Sequence, residues 1–234
     1  MLKKMLAVLL AAAACLTVSG CSGSKEYNVI KDVQKDISNL QSGRIIVTAK
    51  LDNGKRSDMT VTEFTFRVNA SGNYEYCQTQ FDSNNKAVFC EFSDGEKSEQ
   101  WLVGSGWTAS DSDVYNKKNP HRYIQLLSTP FESKAVSGIE TAEEGANKRY
   151  TMVLDPERLN ETAYLDSDSQ IKEETVSILV NDKGEMVCYN DQTNALDKSS
   201  QKDCSYTLEM QLSDCNAVTE IARPELRDYS KKAS

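Results

Sequence analysis

Hydrophobic positions change period along this chain, and the changes mark its elements. In "YNVIKDVQKDISNLQSG", Ile30, Val33, Ile37 and Leu40 fall at spacings of three and four, with Lys, Asp and Gln between them. That spacing predicts an amphipathic helix, with Ser42-Gly43 as its stop. The period then drops to two. "RIIVTAKLDNGK" runs to an Asn-Gly turn, "MTVTEFTFRVNASGNYEYCQTQF" alternates on both sides of Ser71-Gly72, and "NNKAVFCEFSDGEKSEQWLVGSGW" alternates around Asp94-Gly95. Alternating segments divided by such turn pairs predict an antiparallel meander.

Helical signals interrupt the meander. "NPHRYIQLL" offers Asn119 as N-cap, Pro120 at the first helical position, and Tyr123, Ile124 and Leu127 as a buried stripe ending before Pro130. "NKRYTMVLD" reads as a strand, and "DPERLNETAYL" starts another helix at Asp155-Pro156. "TVSILVNDKGEMVCYN" predicts a hairpin around Asp182–Gly184, followed by "CSYTLEMQL" and "AVTEIARP" as closing strands. The order is helix, about five strands, helices, about five more strands, with one apolar face per strand. It predicts an α+β fold: one large curved antiparallel sheet with helices packed on its concave face.

The first residues are a different kind of segment. Lys3 and Lys4 precede an apolar run from Met5 to Val18, shorter than the roughly 20 apolar residues of a membrane span and placed as an export signal. The run ends in Val18-Ser19-Gly20-Cys21, which resembles the lipobox of bacterial lipoproteins. The resemblance implies a diacylglycerol on the Cys21 thiol, cleavage just before it, and a chain held outside the cytoplasm on a membrane, since two or three acyl chains anchor stably. Residues 1–20 are then the signal peptide, 21–25 the lipidated cysteine and tether, 26–226 one domain, and 227–234 a tail.

Loss of residues 1–20 removes two lysines and no acid, moving the formal net charge from −8 to −10. An acidic domain of this kind is a poor partner for nucleic acid and is repelled by anionic headgroups. A single histidine, His121, serves the chain, which argues against His-rich metal sites and most Ser/His/Asp arrangements; it reads as a solvated or capping residue in the first turn of a helix. "VGSG" lacks the Lys-Ser/Thr of a phosphate loop. "DSDSQIKEE" (Asp166, Asp168, Glu173, Glu174) opens like a calcium loop but has Ile171 where glycine is required. It reads as a solvated acidic loop, as does the "DSD" of Asp111–Asp113. Asp155, Glu157 and Glu161 are spaced like a hydrolase pair, but Asp155 is accounted for as a helix cap. No catalytic residue, metal site or cofactor motif is expected, and the chain does not read as an enzyme.

The lipobox, the N-terminal amphipathic helix, the long meander, the central helical insertion and a final strand "VTEIARP" together resemble the LolA/LolB-like superfamily, nearest in style to LppX/LprG-type lipoproteins. The resemblance covers residues 25–224 and rests on element order. It implies a half-barrel closed by helices that binds or hands over a lipid, glycolipid or other hydrophobic ligand. The alternative on the same fold is an envelope-sensing module with a protein partner. Residues placed to line an apolar space are Phe64 and Phe66 on one strand, Tyr74 and Tyr76 on the next, and Trp101, Val103 and Trp107 further on. Plain core packing would produce the same alternation.

Five cysteines follow Cys21. Cys77 and Cys90 lie symmetrically about Ser83-Asn84; a two-residue loop there would set them opposite each other and predict a cross-strand disulfide. Cys188 and Cys204, around residue 196, are a weaker pair, leaving Cys215 free. No Cys-x-x-Cys occurs, which argues against a thiol oxidoreductase.

Overall fold

The computed structural model describes residues 24–54, 57–110, 118–161 and 169–227. The export signal, Cys21, Asp111–Asp113, Asp166, Asp168 and most of the tail lie outside the described residues. Helix α1 spans Lys25–Ser38, and the Ser24 side chain caps it by accepting from the Tyr27 N–H at 3.1 Å. Glu26 in the first turn and Lys35 in the last suit the helix dipole. Its buried face is Tyr27, Ile30, Val33, Gln34 and Ile37. The helix stops earlier than its pattern predicts, because Ser42 and Gly43 begin the first strand. Gly43 sits opposite Phe66, and a Cβ on it would lie 3.1 Å from the Phe66 ring.

The remaining elements are β1 (Ser42–Asp52), β2 (Ser57–Val68), β3 (Tyr74–Phe81), β4 (Ala87–Ser93), β5 (Ser98–Leu102), β6 (Gly106–Ala109), α2 (Arg122–Ser128), β7 (Val136–Glu144), β8 (Asn147–Leu154), α3 (Pro156–Glu161), β9 (Ser169–Val180), β10 (Met186–Asp197) and β11 (Lys202–Ser213). They form one open sheet of eleven strands, ordered β6-β5-β4-β3-β2-β1-β11-β10-β9-β8-β7. Every pairing is antiparallel. Two meanders are joined where β1 pairs β11, from Arg44↔Ser213 to Asp52↔Ser205.

Two segments depart from expectation. Strand β7 was not legible: Gly138 and a register shift near it break the apolar alternation, and Glu143 and Glu144 end the strand. Charge of this kind suits an edge strand. "AVTEIARP" is not a strand. Both neighbours of β11 are already taken, by β1 and β10, so no ladder is open beside it. The segment instead leaves β11 as a strap. The Asn216 N–H donates to the Ser42 carbonyl at 2.8 Å, and the Val218 N–H to the Ser42 hydroxyl at 3.1 Å. Arg67 donates to the Thr219 carbonyl, and Arg223 pairs with Glu99 at 2.8 Å.

Helix residues Ile30, Val33, Ile37, Ile124, Leu127 and Leu159 share one apolar cluster with a single face of the sheet. That face carries Ile45 and Val47 of β1, Phe64 and Phe66 of β2, Met210 of β11, Ile178 of β9 and Met152 of β8. The expected α+β half-barrel with helices on its concave face is therefore the observed architecture. Phe64→Ala, removing a ring that is 1% exposed, is expected to cost about 3–5 kcal/mol in urea denaturation. Met59→Ala, at a side chain 50% exposed, should stay within about 0.5 kcal/mol.

Candidate functional site on the concave face

Helix α2 is set over the concave face by its own first residue. His121, rather than Asn119, is the N-cap, and its Nδ1 accepts from the Tyr123 N–H at 3.3 Å. The imidazole stacks on Phe64 with centroids 4.3 Å apart and sits 4.9 Å from Tyr123 and 5.5 Å from Tyr76. Burial, with the nearby Arg122 guanidinium, pushes its pKa down to about 3, so the ring is neutral and acts as an acceptor. Helix α1 fastens the chain beyond α2: Gln34 Nε2 donates to the Thr129 carbonyl at 3.0 Å, and the Tyr27 hydroxyl to the Phe131 carbonyl at 2.7 Å.

These contacts decide what the inward aromatics do. Phe64, Phe66 and Tyr76 are buried and Tyr74 is half-buried, all on the concave face. Each meets a partner: Phe64 lies 5.7 Å from Phe66, and Tyr74 lies 6.4 Å from Phe66. The Tyr76 hydroxyl donates to Glu91 at 2.8 Å. At this end the interior is packed. Beside Phe64, the buried Gln78 Oε1 has no hydrogen-bond partner among the described residues.

The other end of the same face is different. Ala49, Leu208, Asp191, Val176, Met152 and Ile139 run across β1, β11, β10, β9, β8 and β7 as one inward row. The next row is Leu51, Tyr206, Thr193 and Glu174. Leu51 and Tyr206 are 45% and 38% exposed, so the apolar lining outruns the helices that cover it. Two carboxylates border this uncovered stretch. Burial pushes Asp191 up to about 6 against the pull of the Thr193 hydroxyl, which donates to its Oδ1 at 3.2 Å. Burial and the charge of Asp191 push Glu174 up to about 7. Asp191, Tyr123 and Arg122 all act on the Tyr206 hydroxyl, whose pKa is raised chiefly by burial. The rim thus offers an apolar floor, protonatable carboxyls and hydroxyls, an arrangement able to hold an apolar chain with a polar end.

Sequence reasoning placed Glu174 in a solvated loop; it belongs to β9, and its inward position follows from the register with Thr193. Asp191 was not singled out. Its signal was a charged residue at an inward position of an alternating strand. Three expected lining residues are elsewhere. Trp101 and Trp107 face each other on the convex side, in register with Cys90, and Val103 is exposed in the turn after β5. Arg223 of the strap lies over the Trp107 ring, 4.6 Å from its centroid.

The cysteine register also differs from expectation. Cys90 is opposite Thr79, and Cys77 is opposite Phe92, because the β3–β4 turn is wider than two residues and carries a register shift. The two thiols are diagonal neighbours, unbonded, with sulfurs 3.8 Å apart. Cys188 pairs in register with Gln211 and Cys204 with Ala195. Those two therefore lie on opposite faces, seven register positions apart, and do not form the weaker expected pair. Cys215 packs against the core, and burial raises its thiol pKa. Among the described residues no three His, Cys, Asp or Glu side chains gather as a metal site.

LprF from Mycobacterium bovis has a similar structure: 88% of this chain and 99% of LprF are covered, at 12% identity and a TM-score of 0.50. The Mycobacterium tuberculosis lipoprotein LppX is covered over its whole length by 85% of this chain, at 13% identity and a TM-score of 0.44. A LolA-superfamily protein from Nitrosomonas europaea has a TM-score of 0.30 at 7% identity, over 82% of this chain and 95% of its own. No protein-family model and no curated protein sequence matches the chain. The chain thus shares the fold of LprF, an α+β half-barrel built on an open antiparallel sheet.

The raised carboxyls give a stability signature. The folded state binds these protons more tightly than the unfolded chain, whose values are 3.8 and 4.5. Their contribution to stability is therefore lost as pH rises from about 4 to about 7. An Asp191→Asn/Glu174→Gln variant is expected to melt above the wild type at pH 8 and to lose that advantage at pH 4, measured by calorimetry. His121 acts in the opposite sense, its contribution falling as pH drops from 6.5 towards 3.

Proposed function

We propose that this protein binds a lipid or other hydrophobic ligand on its concave face, outside the cytoplasm, while tethered to a bacterial cell membrane by a lipid on Cys21. The observation that carries the reading is the uncovered row of Leu51 and Tyr206, continuous with the buried apolar lining below it. An acyl chain entering there would bury that row at about 25 cal/mol per Å², with its polar end beside Asp191 and Glu174. The lipobox pattern supports the anchor. The element order that resembles the LolA/LolB-like superfamily supports the binding mode. No covalent chemistry is part of this role, and whether the ligand is held or handed on depends on a membrane or envelope partner.

A second reading, a module that docks an envelope protein, draws on two observations. The interior is packed around His121 and Phe64, and the convex side carries a groove of about 370 Å³ lined by Ile46, Leu179, Val187, Cys188 and Gln211.

Residues 22–234, purified natively and extracted, should yield a stoichiometric lipid by mass spectrometry. Ala49→Trp, which fills the inward row next to Leu51, should weaken uptake of a fluorescent fatty acid about tenfold. An empty protein that takes up no fatty acid would sink the carrier and leave the docking module. Separately, Cys21→Ala in the full chain is expected to move the protein from the membrane to the soluble fraction.

A further inference from the structure

The convex face of β3, β4 and β5 holds a second buried patch, separate from the main core. Cys90 is fully buried there, Trp101 is its cross-strand partner, and Thr79 faces it from β3. Cys77 lies two positions along β3 from Thr79 and is half-buried. Its sulfur is 3.8 Å from that of Cys90, and the Thr79 hydroxyl reaches both, 3.4 Å from Cys90 and 3.9 Å from Cys77. Alternation along β3 puts this patch on the side away from the concave ligand face, since Tyr76 and Gln78 point inward.

We infer that Cys77 and Cys90 form a reversible redox pair, in which Cys77 exchanges with an external disulfide and Cys90 resolves the mixed disulfide. Three features carry it. Two thiols at van der Waals contact need no change of fold to meet. Their diagonal register, with Thr79 and Phe92 as the direct partners, holds the sulfurs short of the bonding distance of about 2.05 Å. Closing the bond must pull against the β3–β4 ladder, and a disulfide closed against such resistance is readily reduced. The third feature is the difference in access, which assigns the order of events: Cys77 keeps part of its surface exposed, while Cys90 is fully buried. The same order follows from acidity. The hydrogen bond from Cys90, with help from Thr79, lowers the Cys77 thiol below its usual 9.0, while that bond and burial raise Cys90.

The chemistry balances with a small disulfide or an exported thiol–disulfide oxidoreductase as oxidant. Cys77 thiolate attacks one sulfur of the oxidant, whose other sulfur leaves as a thiolate. Cys90 then attacks the Cys77 sulfur, its proton passing to the second half of the oxidant, which leaves as a thiol. Two protein thiols have given up two electrons and two protons, and the oxidant disulfide has become two thiols.

Full-length protein from membranes, treated with oxidised glutathione and mapped by peptide mass spectrometry, is expected to show a Cys77–Cys90 disulfide. The other three thiols, Cys188, Cys204 and Cys215, should form no protein disulfide. Millimolar reduced glutathione should restore most of the dithiol. In Cys90→Ala a glutathione adduct should accumulate on Cys77; in Cys77→Ala the Cys90 thiol should stay unmodified while the protein is folded. Absence of the Cys77–Cys90 disulfide, an adduct that forms first on Cys90, or a disulfide that survives reduced glutathione would each overturn the proposal. A conservative pair, Cys77→Ser and Cys90→Ser, checks by circular dichroism that loss of adduct is not loss of fold.

Discussion

Everything on the concave face depends on the pairing of β1 with β11. The first and last strands of the sheet are separated by almost the whole domain in sequence, and closing so long a loop is entropically unfavourable until both meanders exist. Once made, the ladder turns two short sheets into one of eleven strands. It also brings Ile45 beside Leu212 and Val47 beside Met210, so the apolar face runs unbroken from β3 to β7. The ion pair at its end, Arg44 with Asp214, is more than half exposed on both sides and adds little. Buried rows and ladder hydrogen bonds hold the seam.

The second organising fact is the strict alternation of side chains across that sheet. Neighbouring residues on one strand serve separate compartments: Phe64 and Phe66 face the helices, while Arg67 faces out and holds the strap through Thr219. Likewise Tyr76 joins the aromatic cluster around His121, while Cys77 joins Cys90 on the other side. The proposed ligand face and the proposed thiol pair thereby lie on opposite sides of one sheet. The C-terminal strap shields the convex patch at Trp107 much as the helices shield the concave face.

Composition alone describes an acidic surface, yet the acids that matter for the interior are few. Several carboxylates cap turns: Asp82 and Asp94 accept backbone N–H groups within their own loops, and Asp197 accepts the Ser199 hydroxyl and nearby backbone N–H groups, which lowers their pKa values. Asp191 and Glu174 do the reverse. They sit inward on neighbouring strands, lose water, and hold their protons more tightly. The contrast arises from strand register, not from local sequence.

What the sequence by itself determined is local. The period of three to four made α1, alternation made the strands, and Gly72 and Gly184, at φ of 76° and 83°, made hairpin turns where their neighbours predicted them. Those signals sufficed for a large antiparallel sheet with helices on one face, and for setting Phe64 with Phe66 and Tyr74 with Tyr76 on a shared face of their strands. They failed where pairing decides the outcome. A wider turn after Phe81 moved Cys90 from Cys77 to Thr79, a shift of two residues that leaves every side chain on its own face and so cannot be read from alternation. "VTEIARP" has strand-like alternation but found both neighbours of β11 occupied, so it became a strap. Whether Phe64 lines a space or fills one was settled by His121, brought onto it from more than fifty residues away. Alternation tells which face a residue takes; only the tertiary structure decides what it meets there, because its partners arrive from distant parts of the chain.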